Sequence, residues 1–413
     1  MENLLIRNAE IWPLDSSRVI SKGWLTARDG VITAIAPGEP PTELTAKTVI
    51  DGEGMLLMPG LADCHTHLME YATAEINATR GRAQRMSAVA NLLTALRCGI
   101  VATGEHNLGH PTLKMPMGEY KDILRSVPMA SAVAYGCCWL GFEPKVLTSA
   151  TRPGQAFSRE VLTDEDYAAM AEASEFAGEN LFLNCTCANA PLSAAPHAGE
   201  VTYDRQTLEH IVELFHARGR AIGAHIEGDE AARLFIECGG DVIHHGHNTT
   251  PEVWRLMAEK GVALVLTPAA GTSKRPLTPE QTLELYRAGV FLALASDSYI
   301  YPHPQAESQL QHFIPGGAAG TVEDLMAVGA VDGGGTDDPL GHQPPVRAQE
   351  DALHLITVNP RRLLHPRDEL TALKPGSPAD MILCRRLPAL ETEDPNDILL
   401  VITGGELQVD KRK

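Results

Sequence analysis

Histidine and aspartate side chains stand at the ends of several short apolar segments of this chain. The first segment, residues 56–68, crosses a Pro-Gly break and ends in His65-Thr66-His67. Alternate residues of a β-strand project to the same side, so His65 and His67 are expected to share one face. Two imidazoles on one face supply half of a four-ligand zinc site. A bare His-x-His is more often a solvated pair, and the apolar strand before it favours metal binding here.

Three later apolar segments also end in residues that bind metals. They end in His225-Ile226-Glu227, in His244-His245-Gly246-His247 and in Asp297. A carboxylate that follows an apolar strand is buried and needs a partner, and a metal ion is the simplest one. Taken alone, each of these residues could equally be a hydrogen-bonded polar residue with no role in metal binding. Four such ends in one chain favour a metal centre.

The composition is that of a large globular protein. The chain has 413 residues, of which 44% are hydrophobic and 21% charged, and this length suits a barrel of roughly 250–300 residues with a second small domain. The formal net charge of −19 argues against binding to nucleic acid or to an anionic membrane. We expect neither a signal peptide nor a membrane-spanning helix. The eight cysteines lack zinc-finger spacing and are expected to be free thiols in a reduced cytoplasm.

The middle of the chain alternates between helical and strand patterns. Helices are predicted at 87–97, 164–176, 203–218, 230–238 and 251–259, and apolar strands at 221–225, 241–245, 262–266 and 290–295. Helices that alternate with fully apolar strands indicate a parallel sheet covered by helices. A (β/α)₈ TIM barrel is therefore expected ahead of an open doubly wound sheet, since no glycine-rich nucleotide-binding motif is present. In a barrel the strand ends that carry His and Asp would meet at one face.

Both ends of the chain are rich in short strands. They are predicted at 4–12, 24–35 and 48–52, and again at 379–384, 399–403 and 406–409. Asp29-Gly30 is predicted to turn a hairpin within the second of these ranges. We expect residues 1–58 and 360–413 to form one small β-sandwich domain, with the barrel formed by residues 59–359 inserted between them.

These residues carry a resemblance to a known family. Residues 58–67, Met-Pro-Gly-Leu-Ala-Asp-Cys-His-Thr-His, resemble the opening motif of the amidohydrolase superfamily. Residues 357–364 and 373–380, which include Asn359-Pro360 and Ala379-Asp380, resemble its closing segment. The resemblance runs nearly end to end and points to the imidazolonepropionase-like and prolidase-like branches. It implies a metal-bearing (β/α)₈ barrel with a β-sandwich made from both termini.

The resemblance implies a set of metal ligands. They are His65, His67, His225, His245 and Asp297. His245 is preferred over its neighbour His244 because it precedes Gly246, as in the family's His-Gly pair. Zn²⁺ is the expected ion, with Fe²⁺ or Mn²⁺ as alternatives. One ion per chain is expected because Asn184 stands where prolidase-like members carry a bridging lysine, unless Cys185 or Glu105 supplies the bridge.

The expected chemistry is hydrolysis by metal-activated water. Asp297 would take a proton from the attacking water and pass it to the departing nitrogen. His245 would complete the metal shell or polarise a substrate carbonyl, and Glu227 would donate a proton or anchor a substrate nitrogen. The residues expected to line the substrate site are His247, Asn184, Glu105 and His106, with His303 a weaker candidate.

Two hydrolytic functions remain open at this point. Cleavage of a carbon–nitrogen bond in a small amide or cyclic amide is favoured over deamination of a nitrogen heterocycle. Deaminase-like members place a glutamate three residues after the fifth-strand histidine, where this chain has Gly228. A non-catalytic scaffold is disfavoured because every expected ligand is present. The expected partner is a small-molecule substrate, and the resemblance implies a homo-oligomer.

Overall fold

The computed structural model describes residues 1–15, 18–71, 81–108, 117–137, 163–173, 181–187, 197, 199–267, 277–300, 344–365, 371–392 and 394–412. The candidate residue His303 lies outside these ranges. Within them, the chain forms two separate β-sheets and a set of helices. One sheet comes from both ends of the chain and the other from its middle.

The first five strands lie in the N-terminal part of the chain. They are β1 (Glu2–Ile11), β2 (Ile20–Arg28), β3 (Val31–Pro37), β4 (Ala46–Asp51) and β5 (Leu56–Pro59). β2 and β3 are antiparallel and turn at Asp29 and Gly30, whose φ angles are +51° and +82°. Two successive residues with positive φ match the right-handed twist of a hairpin, so the predicted hairpin is confirmed.

The next nine strands form a parallel sheet. They are β6 (Leu61–Tyr71), β7 (Ile100–Leu108), β8 (Ala130–Cys137), β9 (Leu181–Asn184), β10 (Ile222–Glu227), β11 (Val242–His247), β12 (Ala263–Leu266), β13 (Leu292–Leu294) and β14 (Ser298–Ile300). Neighbours in chain order pair from β6 to β13, and β14 pairs with β6. β13 and β14 lie on either side of residues 295–297, as two halves of one strand. The sheet thus returns to its first strand, which confirms the (β/α)₈ barrel.

Helices follow the barrel strands along the chain. They are α1 (Gly81–Arg97), α2 (Met117–Arg125), α3 (Asp164–Ala173), α4 (Arg205–His216), α5 (Asp229–Glu237), α6 (Pro251–Lys260), α7 (Pro279–Arg287), α8 (Pro344–His354) and α9 (Val358–Leu364). Local sequence sets several of their ends. The Asp204 side chain accepts a hydrogen bond from the Thr207 N–H at 2.8 Å and caps α4, and α6 ends at Gly261 in the left-handed conformation. None of the helices in the described ranges combines the length and the apolar character that crossing a bilayer requires.

Small side chains from strands all round the barrel form one buried cluster. It includes Ala62, Ala102, Ala132, Val242, Ala263, Val265 and Ala293. Strands on opposite sides of the barrel contribute to it, as expected when side chains fill a barrel's interior. A larger apolar cluster contains residues of both strands and helices. The interior is therefore a packed core, which leaves the strand ends for polar residues.

The sheet of the termini is completed by three C-terminal strands. They are β15 (Met381–Cys384), β16 (Ile398–Thr403) and β17 (Glu406–Asp410), with a short 3₁₀ helix at Pro395–Asp397. β15 pairs antiparallel with β5, and this pairing joins the two ends of the chain in one sheet. The sheet has its own buried apolar cluster. Arg361 of α9 forms a buried ion pair with Asp380, just before β15, and so ties α9 to this sheet.

Candidate metal centre

Three donor atoms from His65, His67 and Asp297 lie together at the carboxyl ends of the first and last barrel strands. His65 Nε2 is 3.3 Å from His67 Nε2. Asp297 Oδ1 is 3.3 Å from His65 Nε2 and 3.2 Å from His67 Nε2. Ligand atoms held at about 2.0–2.1 Å from a tetrahedral ion lie about 3.3–3.4 Å from one another. The three buried atoms therefore have the spacing of ligands on one face of a metal ion.

Strand geometry places these three side chains. His65 and His67 alternate with Thr66 along β6, so both imidazoles project from the same face. Asp297 lies in the break between β13 and β14 with φ of +52°, a conformation that aspartate tolerates better than most residues. Its backbone N–H donates a hydrogen bond to the His65 carbonyl oxygen at 2.9 Å. This bond holds the carboxylate beside the histidine pair.

The protonation states of the three residues suit a metal ion. Burial lowers the pKa of both His65 and His67, well below the usual range in the case of His65. Burial by itself would raise the pKa of Asp297, but hydrogen bonds to His65 and His67 outweigh it and hold that pKa well below its usual range. Metal binding requires neutral imidazoles and an ionised carboxylate. At neutral pH, His65 and His67 provide the neutral imidazoles and Asp297 provides the ionised carboxylate.

A bulge in β11 brings adjacent histidines to the site. Ile226 pairs with His245 and Glu227 pairs with His247, so Gly246 is an extra residue between two pairs. His245 and Gly246 have φ angles of +70° and +61°. A regular strand would send neighbouring side chains to opposite faces. The bulge breaks this alternation, and all three histidines of the strand are buried.

His245 lies beside the triangle of donor atoms. Its Nδ1 is 2.7 Å from the Thr267 hydroxyl, and a donor atom of its ring lies within 4.8 Å of donor atoms of His65 and Asp297. The ring centroids of His225 and His245 are 4.5 Å apart. The structure thus brings together all five residues for which metal binding was predicted.

His244 and His106 form a second cluster with His65. His244 Nδ1 lies 2.7 Å from His65 Nδ1, a hydrogen-bond distance that is shorter than the spacing of two ligands on one ion. The His106 ring stacks on His65 with centroids 4.5 Å apart. His106, expected to line the substrate site, therefore packs directly against a predicted ligand.

Glu105, Cys185 and Asn184 are all buried. Glu105 Oε1 accepts hydrogen bonds from the Thr66 hydroxyl at 2.6 Å and from the Leu68 N–H at 3.2 Å. Thr66 faces away from the histidine pair, so this oxygen binds the opposite side of β6. Within the described ranges, neither Glu105 nor Cys185 belongs to a group of three or more donor atoms that lie within 4.8 Å of one another. Asn184 pairs with His225 across β9 and β10.

The two remaining candidates lie at the ends of β10 and β11. Glu227 is half-buried, and its Oε1 accepts a hydrogen bond from Asn248 Nδ2 at 2.8 Å. His247 is only 2% exposed, and neither of its ring nitrogens has a hydrogen-bond partner among the described residues. Its ring stacks on that of His245 at 5.7 Å. A buried imidazole whose nitrogens have no described hydrogen-bond partner is suited to bind a polar group of a ligand.

Asp63 is a site residue that the sequence reasoning missed. Its Oδ1 accepts hydrogen bonds from the Ser296 N–H at 3.1 Å and the His65 N–H at 3.3 Å. These bonds tie the strand of the histidine pair to the residue before Asp297. Burial raises the pKa of Asp63 to about 7. Its position two residues before His65 is the signal that could have identified it.

A closed (β/α)₈ barrel with a buried His/Asp cluster at its strand ends defines a class of metal-dependent hydrolases. The model of the amidohydrolase family matches residues 56–407, and the chain belongs to this family. It is therefore an amidohydrolase-type enzyme that acts on carbon–nitrogen bonds. The predicted resemblance to this superfamily is confirmed.

Named relatives agree with this assignment. Imidazolonepropionase of Stenotrophomonas maltophilia is 29% identical over 308 residues, which cover 68% of this chain and 72% of that protein. Ochratoxinase of Aspergillus niger is 25% identical over 215 residues, which cover 50% of this chain and 41% of that protein. A crystal structure of a prolidase complexed with N-methylphosphonate-L-proline has a TM-score of 0.74 at 15% identity and covers 98% of this chain and 99% of that chain. This last match supports the fold.

Proposed function

We propose that this protein is a metal-dependent hydrolase that cleaves a non-peptide carbon–nitrogen bond in a small amide or cyclic amide. One observation carries the proposal. The donor atoms of His65, His67 and Asp297 form a buried triangle with sides of 3.2 and 3.3 Å at the carboxyl ends of the barrel strands. That is the location of active sites in this fold.

The residues present fit a divalent ion. His65, His67 and Asp297 would hold it, with His225 and His245 beside them. Two imidazoles and a carboxylate suit Zn²⁺, with Fe²⁺ or Mn²⁺ as alternatives. One ion per chain is proposed because Asn184 stands where a bridging lysine would be needed. When bound, such an ion acts as a Lewis acid and lowers the pKa of a water molecule toward neutrality.

The side chains would carry the proton transfers. Asp297 takes a proton from the attacking water as the water oxygen bonds to the carbonyl carbon, and gives it to the nitrogen as the carbon–nitrogen bond breaks. His245 binds the ion or polarises the carbonyl oxygen. Glu227 is an alternative proton donor to the leaving nitrogen, or an anchor for a substrate nitrogen. The products are a carboxylic acid and an amine, which stay in one molecule when the substrate is cyclic.

Several observations favour a small polar substrate. His247 places two ring nitrogens without described partners beside His245. Asn184 pairs with His225, and Glu105 and His106 are fully buried. The relative that matches 68% of this chain is named imidazolonepropionase. We therefore place cyclic amides first in the search for a substrate.

Deamination of a nitrogen heterocycle is the second candidate. The same site would replace an amino group by oxygen and release ammonia. Gly228 stands where deaminase-like members carry a glutamate, which makes this reaction less favoured. The expectation of one metal ion per chain is the point in favour of deamination.

The test combines metal content with a substrate screen. Protein purified without added metal is analysed for bound metals, and cyclic amides, acyl-amino compounds and heterocyclic amines are incubated with the wild type and with Asp297→Asn. Addition of one water to the mass of a cyclic amide, without ammonia, would support the proposal. Ammonia release from a heterocycle would favour deamination. Protein that neither contains nor takes up a metal would overturn both.

The domain division and the assembly state are also proposals. We propose that residues 1–58 and 360–413 form one β-sandwich domain and residues 59–359 form the hydrolase barrel. We also propose a cytoplasmic homo-oligomer. Limited proteolysis and light scattering would test the division and the assembly.

A further inference from the structure

We propose that His244 is a positioning residue that orients the imidazole of His65 for metal binding. The inference rests on the metal centre proposed above, and gives His244 a role distinct from that of its neighbour His245. Its basis is the direct contact between the two rings, in which His244 Nδ1 lies 2.7 Å from His65 Nδ1.

The two nitrogens of His65 face different groups. Nε2 lies in the triangle with His67 and Asp297, whereas Nδ1 faces His244. A metal ion needs the lone pair of Nε2, so the proton of the neutral ring must sit on Nδ1. Nδ1–H of His65 then donates to Nδ1 of His244. Metal-ligating histidines almost always donate their other ring N–H to a nearby acceptor, which fixes both tautomer and ring orientation.

The distance distinguishes this role from metal ligation by His244. Two ligands of one tetrahedral ion lie about 3.3–3.4 Å apart when each bond is about 2.0–2.1 Å. The His65–His67 pair has this spacing, at 3.3 Å, whereas the His65–His244 pair is closer, at 2.7 Å. The closer pair is hydrogen-bonded.

The rings of His65 and His244 have the same two neighbours. His65 stacks on His106 with centroids 4.5 Å apart, and the Phe182 ring meets its edge at 5.3 Å. His244 is fully buried and contacts the same two side chains, at 4.9 Å from His106 and 5.1 Å from Phe182. Both rings therefore lie in the same buried environment, and Phe182 contacts them without offering a hydrogen bond.

Side-chain replacements can separate the hydrogen bond from the packing. His244→Asn keeps an acceptor oxygen near the position of Nδ1, and His244→Leu removes the acceptor. His244→Gln keeps polarity but carries its amide beyond the Nδ1 position. Phe182→Leu is the matched control, since it removes a ring that contacts His65 but no hydrogen bond.

The experiment measures zinc affinity by equilibrium competition with a chelator, using the full-length chain. Co²⁺-substituted protein gives an absorption spectrum that reports ligand geometry, and circular dichroism of the metal-free proteins checks folding. We expect His244→Leu and His244→Gln to bind zinc about 10–100-fold more weakly than wild type. We expect His244→Asn and Phe182→Leu to stay close to wild type in affinity and in Co²⁺ spectrum.

The outcomes separate this inference from the proposed function. Equal zinc affinity in wild type, His244→Leu and His244→Gln would overturn the role of His244 and leave the metal centre intact. Equal losses in His244→Asn and His244→Gln would also overturn it, because the acceptor would then be irrelevant. If His244→Leu does not fold, the Asn and Gln variants decide. A wild type that binds no zinc would overturn the proposed function together with the inference.

Discussion

Asp297 is joined to His65 by both its backbone and its side chain. The Asp297 N–H donates to the His65 carbonyl oxygen at 2.9 Å, and Asp297 Oδ1 lies 3.3 Å from His65 Nε2. The two residues come from the last and first strands of the barrel. The contact that closes the barrel is therefore also the one that assembles the candidate metal centre.

Asp297→Asn should abolish most of the activity. The amide cannot accept the proton of water and carries no charge to offset a divalent ion. We expect the turnover number to fall by about 10²–10⁴-fold, the usual contribution of general acid–base catalysis, and bound metal to decrease. Steady-state kinetics on the substrate found in the screen and metal analysis provide the measurement. Near-normal turnover in a folded variant would remove Asp297 from the catalytic role.

The hydroxyl of Thr267 should matter for metal affinity or activity, because it lies 2.7 Å from His245 Nδ1. Thr267→Val keeps the shape of the side chain and removes the hydroxyl, whereas Thr267→Ser keeps the hydroxyl. Loss of such a partner typically costs about 10–100-fold in metal affinity or activity. We expect this loss in the valine variant and a much smaller one in the serine variant. Similar values for both variants would show that His245 does not depend on this bond.

Gly246→Ala should damage the site more than a comparable glycine substitution elsewhere. At Gly246 φ is +61° and an added Cβ would lie 2.7 Å from Leu264 Cδ1. Gly261 is the matched control, with φ of +71° and no atom within 4 Å of an added Cβ. Left-handed backbone alone costs a non-glycine residue about 1–2 kcal/mol.

We expect Gly261→Ala to lose about that much stability and to keep its zinc affinity. Gly246→Ala should lose more stability and bind zinc more weakly, because the bulge that directs His245 is displaced. Denaturant unfolding and chelator competition measure the two quantities. Equal effects of the two substitutions would mean that the bulge is not important for the site.

Glu105 should make the stability of the metal-free protein depend on pH. Burial raises the pKa of Glu105 from 4.5 to about 7. Between these values the folded state holds a proton that the unfolded state has lost, so this group's stabilising contribution is complete below pH 4.5 and is lost as the pH rises through 7. A shift of this size corresponds to about 3 kcal/mol.

Glu105→Gln removes this titration. We expect its free energy of unfolding, relative to wild type, to rise between pH 5 and pH 8, as measured by denaturant titration without metal. Burial also raises the pKa of Asp63 to about 7, but Asp63 is present in both proteins and its contribution is common to them. A constant difference across this range would show that Glu105 is already ionised at low pH in the folded protein.

Much of the fold could be predicted from the sequence because the patterns are local. The helix predicted at 203–218 corresponds to α4, which the structure gives as Arg205–His216. The Asp29-Gly30 dipeptide identified a hairpin because both of its residues readily adopt positive φ. Alternation of helices with apolar strands predicted the parallel sheet. Among the predicted helices, the start of α1 was the least accurate, because the helix begins at Gly81 and not at residue 87.

The candidate site could be predicted only in part. His65 and His67 share a face because of strand alternation, which the sequence displays directly. His244, His245 and His247 could not be sorted in the same way, because the bulge at Gly246 changes the direction of successive side chains. Asp63 was overlooked because its link to the strand of Asp297, the hydrogen bond from Ser296, joins residues distant in the chain.

The sequence by itself determined the types of chemical groups and the strand ends that carry them, because residue identity and alternation are properties of short segments. The tertiary structure alone decided which atoms face one another. Closure of the barrel places Asp297 against His65, and the β11 bulge gives His244 and His245 different partners. Such choices depend on backbone angles and on contacts between residues far apart in the chain, which no short segment specifies.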